Sequence, residues 1–197
     1  YADRMVSSMQ DSRSFDFSFD RLGIAGAAWA LRENAAAIIL AGGASRRMGT
    51  DKSMLLVGGR PMIEHIAGQL LPQFDEVLVS AGRGHAYAFL NLPVVEDPKP
   101  GLGPLMGIAS ALSGSSRDLN FVTACDVPDI DMPFVRRMLS EAEVGDCDIV
   151  VPRWPDGRIE PLYAVYNRRV IPVIHDMLAT GEARVSALCK RCQVKHA

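Results

Sequence analysis

The chain has 197 residues, of which 48% are hydrophobic and 22% charged, and its formal net charge is −2. That length suits one domain with at most a short appendage, and the balance is that of an ordinary globular protein. No global positive field exists to attract nucleic acid or an anionic lipid surface, and no apolar run approaches the ~20 residues needed to span a bilayer, so neither partner is expected.

The four cysteines, Cys125, Cys147, Cys189 and Cys192, make no secreted-type disulfide framework, so a reducing, cytoplasmic setting is expected. Cys189-x-x-Cys192 has no second pair to complete a zinc site and is read as structural or incidental. His65, His85, His175 and His196 show no ligand spacing.

The sequence opens on Tyr1 rather than Met, which suggests a start inside a longer polypeptide and a fusion partner before residue 1. Residues 1–33 are read as an N-terminal appendage without an assigned role: Phe15, Phe17 and Phe19 alternate with polar residues, and Leu22 to Leu31 suits a helix. Residues 34–197 are read as the main folded domain. Ala35 to Ile39 is a short apolar run of strand length. Gly58-Gly59 is a turn, and Pro61 is expected to open a helix with Ile63, Ile66, Ala67 and Leu70 on one face. Val77 to Val79 and Pro93 to Glu96 read as strands, and Asp97 to Gly103 as a loop. Pro104 to Leu112 then reads as a helix and Asn120 to Ala124 as a strand. Met132 to Ala142 is helical, Asp148 to Val151 and Leu162 to Tyr166 are strands, and Val170 to Leu178 is a helix. Strands alternating with helices predict an α/β fold. The expected form is a single Rossmann-like domain whose mostly parallel central sheet carries helices on both faces.

The chemistry gathers after the first strand, in Leu40-Ala41-Gly42-Gly43-Ala44-Ser45-Arg46-Arg47-Met48-Gly49-Thr50-Asp51-Lys52. Glycines let backbone amides approach a phosphate closely, and Arg46, Arg47 and Lys52 bring positive charge. The spacing excludes a Walker A loop, because five residues separate Gly43 from Gly49 and Thr50-Asp51 precedes Lys52. It excludes the dinucleotide fingerprint as well. In a sheet of this kind ligands bind at the carboxyl ends of the strands, where Asp126 also falls. Taken alone, Asp126 suits a helix N-cap as well as a metal ligand. Opposite a phosphate loop it is read as a ligand for Mg²⁺, with Asp129 and Asp131 as the caps.

The loop resembles the signature of the nucleotidyltransferases that activate small molecules with an NTP, Leu-Ala-Gly-Gly-x-Ser-x-Arg-Met-Gly-x-Asp-Lys, at every fixed position. Asp97 followed by Gly103-Pro104-Leu105-Met106-Gly107 is similar to that family's segment against base and ribose. Glu160-Pro161-Leu162-Tyr163-Ala164-Val165-Tyr166 and Gly181-Glu182-Ala183-Arg184 resemble one branch, the molybdenum cofactor guanylyltransferases. The resemblance runs from about Ala35 to Cys192. It implies transfer of GMP from GTP to molybdopterin with Mg²⁺ and release of pyrophosphate, and handover of the product to a molybdoenzyme or its maturation partner.

The resemblance also implies roles for residues. Lys52, Arg47 and Asp126 are the catalytic set. Leu40, Ala41, Gly42, Gly43, Ser45, Arg46, Gly49, Lys52, Asp97, Gly103, Pro104 and Leu105 bind the nucleotide. Asp126, with Asp97 as a second candidate, holds the metal, and Glu160, Pro161 and Arg184 lie on the acceptor side. The family's further Asn-x-Asn-Thr-Pro-Glu-Asp segment, associated with the pterin, is not in this sequence. The nucleotide half therefore has more matching residues than the acceptor half. The same fold with a cytidylyl specificity or another phosphorylated acceptor, and a non-catalytic binding module, are the rival readings.

Overall fold

The structure is a computed structural model, and it describes residues 32–41, 51–82, 84–99 and 101–197. The readings of residues 1–31 lie outside the described residues. So do those of Gly42, Gly43, Ser45, Arg46, Arg47 and Gly49.

The central sheet has seven strands in the order β5-β4-β1-β6-β8-β7-β9. These are β1 (Glu33–Leu40), β4 (Phe74–Ala81), β5 (Val94–Glu96), β6 (Leu119–Ala124), β7 (Ile149–Val151), β8 (Tyr163–Asn167) and β9 (Val194–His196). All neighbours are parallel except β8, which runs antiparallel to both β6 and β7. A two-stranded ribbon, β2 (Leu56–Val57) and β3 (Arg60–Pro61), stands apart. Its turn needs positive φ at both central residues, and Gly58 and Gly59 supply 58° and 82°.

Among the described residues five helices cover the sheet: α1 (Met62–Leu70), α2 (Pro104–Gly114), α3 (Met132–Val144), α4 (Ile171–Ala179) and α5 (Val185–Leu188). Period-2 alternation in β1 sends Ala37 and Ile39 to one face, and Ile38 and Leu40 to the other. The first face is packed by Ile63, Ile66, Ala67 and Leu70 of α1 and by Val135, Met138, Leu139 and Ala142 of α3. Both sets follow the i, i+3, i+4, i+7 spacing of one helical stripe. The second face is packed by Leu105, Ile108 and Leu112 of α2, Ile174 and Met177 of α4, and Leu188 of α5. Each fully buried aliphatic side chain contributes about 1.5–3 kcal/mol. With both faces covered, the sheet leaves only its edges open, and the carboxyl ends of β1, β4, β5, β6, β7 and β9 share one of them.

Three local readings change. Pro61 does not sit inside α1: it is the N-cap, at φ −51° and ψ 138°, because its backbone is still paired with Leu56 in the ribbon. Asp131 caps α3 by accepting from the Phe134 amide (3.1 Å), whereas Asp129 caps nothing and lies 3.9 Å from His65 Nε2. β1 begins at Glu33, one residue inside the stretch read as an appendage.

Candidate active site

The carboxyl ends of β1 and β6 are tied directly. The Cys125 amide donates to the Leu40 carbonyl (3.1 Å), and the Ala41 amide donates to Ser80 at the end of β4 (2.8 Å). Asp126 follows Cys125 in a turn and is not a helix cap, which removes the cap reading for it. Its Oδ2 lies 3.6 Å from Lys52 Nζ. The structure thus brings together two residues 74 positions apart that were singled out on separate grounds. Their side chains are 46% and 54% exposed, and a solvated pair of this kind contributes at most about 1 kcal/mol to stability. The pair therefore has little structural work to do and stands open to a ligand.

Lys52 starts a single 3-10 turn, Lys52–Met54, capped by Asp51, whose Oδ1 accepts from the Ser53 amide (3.0 Å) and hydroxyl (2.6 Å). Cys125 beside Asp126 is no nucleophile, because burial, with the Asp126 charge adding to it, pushes its thiol up to about 11.

On the other side of β1, Asp97 follows β5, its amide donating to Ala81 (3.2 Å). Its Oδ1 is buried without a hydrogen-bond partner. Burial raises its carboxyl, and the nearby Ser110 hydroxyl offsets only part of this, since that proton goes to the Met106 carbonyl (2.9 Å). Three sheet spacings, about 14 Å, separate the ends of β5 and β6. Asp97 and Asp126 thus follow strands that are not neighbours in the sheet.

Gly103 precedes α2 at φ 78° and ψ −173°, a region open essentially to glycine alone, and Pro104 takes the first helical position. Leu105 is fully buried. A Cβ on Gly107 would lie 3.0 Å from Ser80 Oγ and 3.9 Å from Asp97 Oδ1, so this glycine lets the first turn of α2 close on the end of β4. The Gly107 backbone thus lies close to the Asp97 carboxylate.

At the far side of the edge, Glu160 is exposed and the Pro161 carbonyl accepts from the buried Tyr166 hydroxyl (2.7 Å). The adjacent Leu162 carbonyl accepts from the Ala124 amide (3.0 Å), so this segment borders the turn that carries Asp126. Arg184 makes no contact with that turn. Its guanidinium is held by Glu182 (2.8 and 2.9 Å), and the hydrogen bonds from Arg184 hold the Glu182 carboxyl down at about 2.

Mg²⁺ in phosphoryl-transfer sites takes one or two protein carboxylates and fills its other positions with phosphate oxygens and water. Among the described residues no three His, Cys, Asp or Glu side chains gather into a protein cage. The exposed Asp126 carboxylate fits the open kind of site. Sequence reasoning missed Tyr87, whose hydroxyl reaches Ala41, Asp51 and Ser53. A lone tyrosine in a short 3-10 segment carries no motif that would have marked it.

The family model for the MobA-like NTP transferase domain matches residues 37–195. A protein of Carboxydothermus hydrogenoformans named probable molybdenum cofactor guanylyltransferase is 37% identical over 163 residues, covering 83% of this chain and 81% of the relative. A protein of the same name from Methanothermobacter thermautotrophicus is 39% identical over 158 residues, covering 76% of this chain and 80% of the relative. In fold, the chain is similar to the crystal structure of molybdopterin-guanine dinucleotide biosynthesis protein A from Archaeoglobus fulgidus, with a TM-score of 0.72 at 22% identity over 82% of both chains. It is also similar to the 2-C-methyl-D-erythritol 4-phosphate cytidylyltransferase of Thermus thermophilus, with a TM-score of 0.61 at 19% identity over 81% of this chain and 86% of that one. The chain belongs to the MobA-like NTP transferase family, and its enzyme class is nucleotidyltransferase.

Proposed function

We propose that this enzyme transfers GMP from GTP to molybdopterin. The terminal phosphate oxygen of the acceptor attacks the α-phosphorus of GTP, a new P–O bond forms, the bond to the bridging oxygen of the β-phosphate breaks, and pyrophosphate leaves. The observation that carries this reading is the Lys52–Asp126 pair, open to solvent at 3.6 Å on the edge shared by β1 and β6. The names of the relatives at 37% and 39% identity support the choice of GMP and of the acceptor.

Positioning and charge stabilisation dominate such a reaction. Lys52 meets the charge that grows on the α-phosphate. Arg47 and the amides of Gly42 and Gly43 hold the β- and γ-phosphates. Asp126 would hold Mg²⁺, which would supply charge neutralisation at the phosphates. Asp97, with its free buried oxygen, accepts from the nucleoside, and the backbone of Gly103-Pro104-Leu105 lies against the base. Glu160 and Pro161 border the acceptor, and Arg184 reaches the acceptor phosphate after parting from Glu182.

The test is pyrophosphate release with molybdopterin and Mg²⁺ in the presence of each of the four NTPs. Release with GTP well above the others is expected. Preference for CTP would replace the guanylyl assignment, and nucleotide binding without release from any NTP would make the protein a binding module.

A further inference from the structure

Lys52 is half-exposed on a single 3-10 turn, and the contact the structure gives its ammonium is Asp126 at 3.6 Å. One pair of that kind does not fix a long, flexible side chain. The backbone that carries it is fixed from below. Tyr87, buried at 3% exposure in the 3-10 segment Gly84–Leu90, places its hydroxyl 3.1 Å from Asp51 Oδ2 and 3.1 Å from Ser53 Oγ. Asp51 and Ser53 are the two sequence neighbours of Lys52. The same hydroxyl lies 3.1 Å from the Ala41 carbonyl. Ala41 is in turn anchored to β4 through its amide on Ser80. A continuous path therefore runs from the sheet through Ala41 and Tyr87 to both flanks of Lys52.

The proton inventory fits a clamp. The Ser53 hydroxyl donates to Asp51 Oδ1 at 2.6 Å, which leaves Ser53 Oγ as an acceptor, and the Tyr87 proton then has three acceptors in reach. Burial, with the Asp51 charge adding to it, pushes the Tyr87 phenol up to about 12, so it keeps that proton at neutral pH. Ser53 is fully buried. A buried polar cluster costs stability unless every member is satisfied, and when satisfied it specifies one arrangement. A phenylalanine at 87 would fill the same space, so packing alone does not call for the hydroxyl.

We propose that Tyr87 is a positioning residue for Lys52: its hydroxyl, set against Ala41, Asp51 and Ser53, fixes the backbone turn from which Lys52 reaches toward Asp126. This rests on the reading above that Lys52 acts in nucleotidyl transfer.

Tyr87→Phe keeps the ring and removes the hydroxyl. Two measurements on the whole chain decide. Amide hydrogen exchange over residues 51–55 should rise in the variant, whether or not the enzyme turns over. The kcat for pyrophosphate release should fall about 10- to 100-fold with KM for GTP little changed, as expected when a group is displaced by a fraction of an ångström to an ångström. In a Lys52→Ala background the same substitution should cost nothing further, because the group it positions is gone. A merely structural tyrosine would lower the melting temperature, leave kcat per folded enzyme unchanged and add its effect in both backgrounds; that result overturns the proposal. Unchanged exchange at 51–55 overturns it too. Ser53→Ala, a smaller change to the same cluster, carries the same measurements if Tyr87→Phe does not fold. An unsubstituted enzyme that releases no pyrophosphate overturns the transfer reading itself, and the positioning role falls with it. That failure is seen before any substitution and so is told apart from the others.

Discussion

A carboxylate oxygen buried without a partner costs stability, and among the described residues Asp97 Oδ1 is such an atom. Its folded pKa is raised by burial, so the stability it contributes is fully present below its unfolded pKa and is lost as pH rises through the folded value. At neutral pH the free enzyme therefore carries a cost that a nucleoside donor would relieve. Asp97→Asn should raise the melting temperature at pH 7, and the difference should shrink as the pH is lowered through the folded pKa of Asp97. The same variant should bind GTP about 10- to 100-fold more weakly, the range for one hydrogen bond to a charged group. Calorimetry across pH together with titration of GTP checks both. A variant that is no more stable, with unchanged affinity, would show that the oxygen is satisfied in some other way. Glu182 shows the opposite sign. Arg184 holds it at about 2, so its contribution is present above the ordinary carboxylate range and is lost only as pH falls through that value. Lys52, Asp126 and Asp97 were legible in the sequence because a motif or a strand end marked them. Tyr87 was not, because what marks it is three contacts to residues 34, 36 and 46 positions away.

At the scale of elements, the apolar run of β1 and the stripe of α1 announced themselves, since run length and period 3.6 are local properties of the chain. Other features depended on distant partners. β9 is three residues long and gains its identity only from pairing with β7. The reversal of β8 had a weak local signal: Asp156-Gly157 lies between β7 and β8, and Arg153 bridges Ile159 in a hairpin rather than a helical crossover. Gly103 joins the two scales, as a turn residue whose backbone also sets the entry of α2 toward Asp97. Gly103→Ala should destabilise the protein by about 1–3 kcal/mol, the cost of forcing a side chain into that region of φ and ψ. Because open space surrounds the position, the loss comes from the backbone alone. Denaturant unfolding measures it. A midpoint equal to that of the unsubstituted protein would mean that the loop relaxes freely.

For the whole molecule, the proposed function has the strand order divide the labour. β5, β4, β1 and β6 carry Asp97, Lys52 and Asp126, while β8, β7 and β9 carry the segments assigned to the acceptor. In the outer half the Ala197 amide donates to Val151 (3.1 Å) and its carbonyl accepts from Arg153 (3.2 Å) at the start of the β7–β8 hairpin. Ala197→Pro removes that donor. It should cost about 1 kcal/mol and raise KM for molybdopterin while leaving GTP affinity intact. Equal loss of both affinities would argue against the division. The central claim is that Lys52 and Asp126 together carry nucleotidyl transfer at the carboxyl edge of the sheet. Single-turnover transfer of labelled GMP from GTP to molybdopterin, followed in the unsubstituted enzyme, Lys52→Ala and Asp126→Asn over a series of Mg²⁺ concentrations, tests it most directly. The expected result is transfer by the unsubstituted enzyme, a rate about 100- to 1,000-fold lower in Lys52→Ala, and a loss in Asp126→Asn that excess Mg²⁺ restores only in part, with both variants folded. Transfer at the normal rate and with the same Mg²⁺ dependence in Asp126→Asn would contradict it.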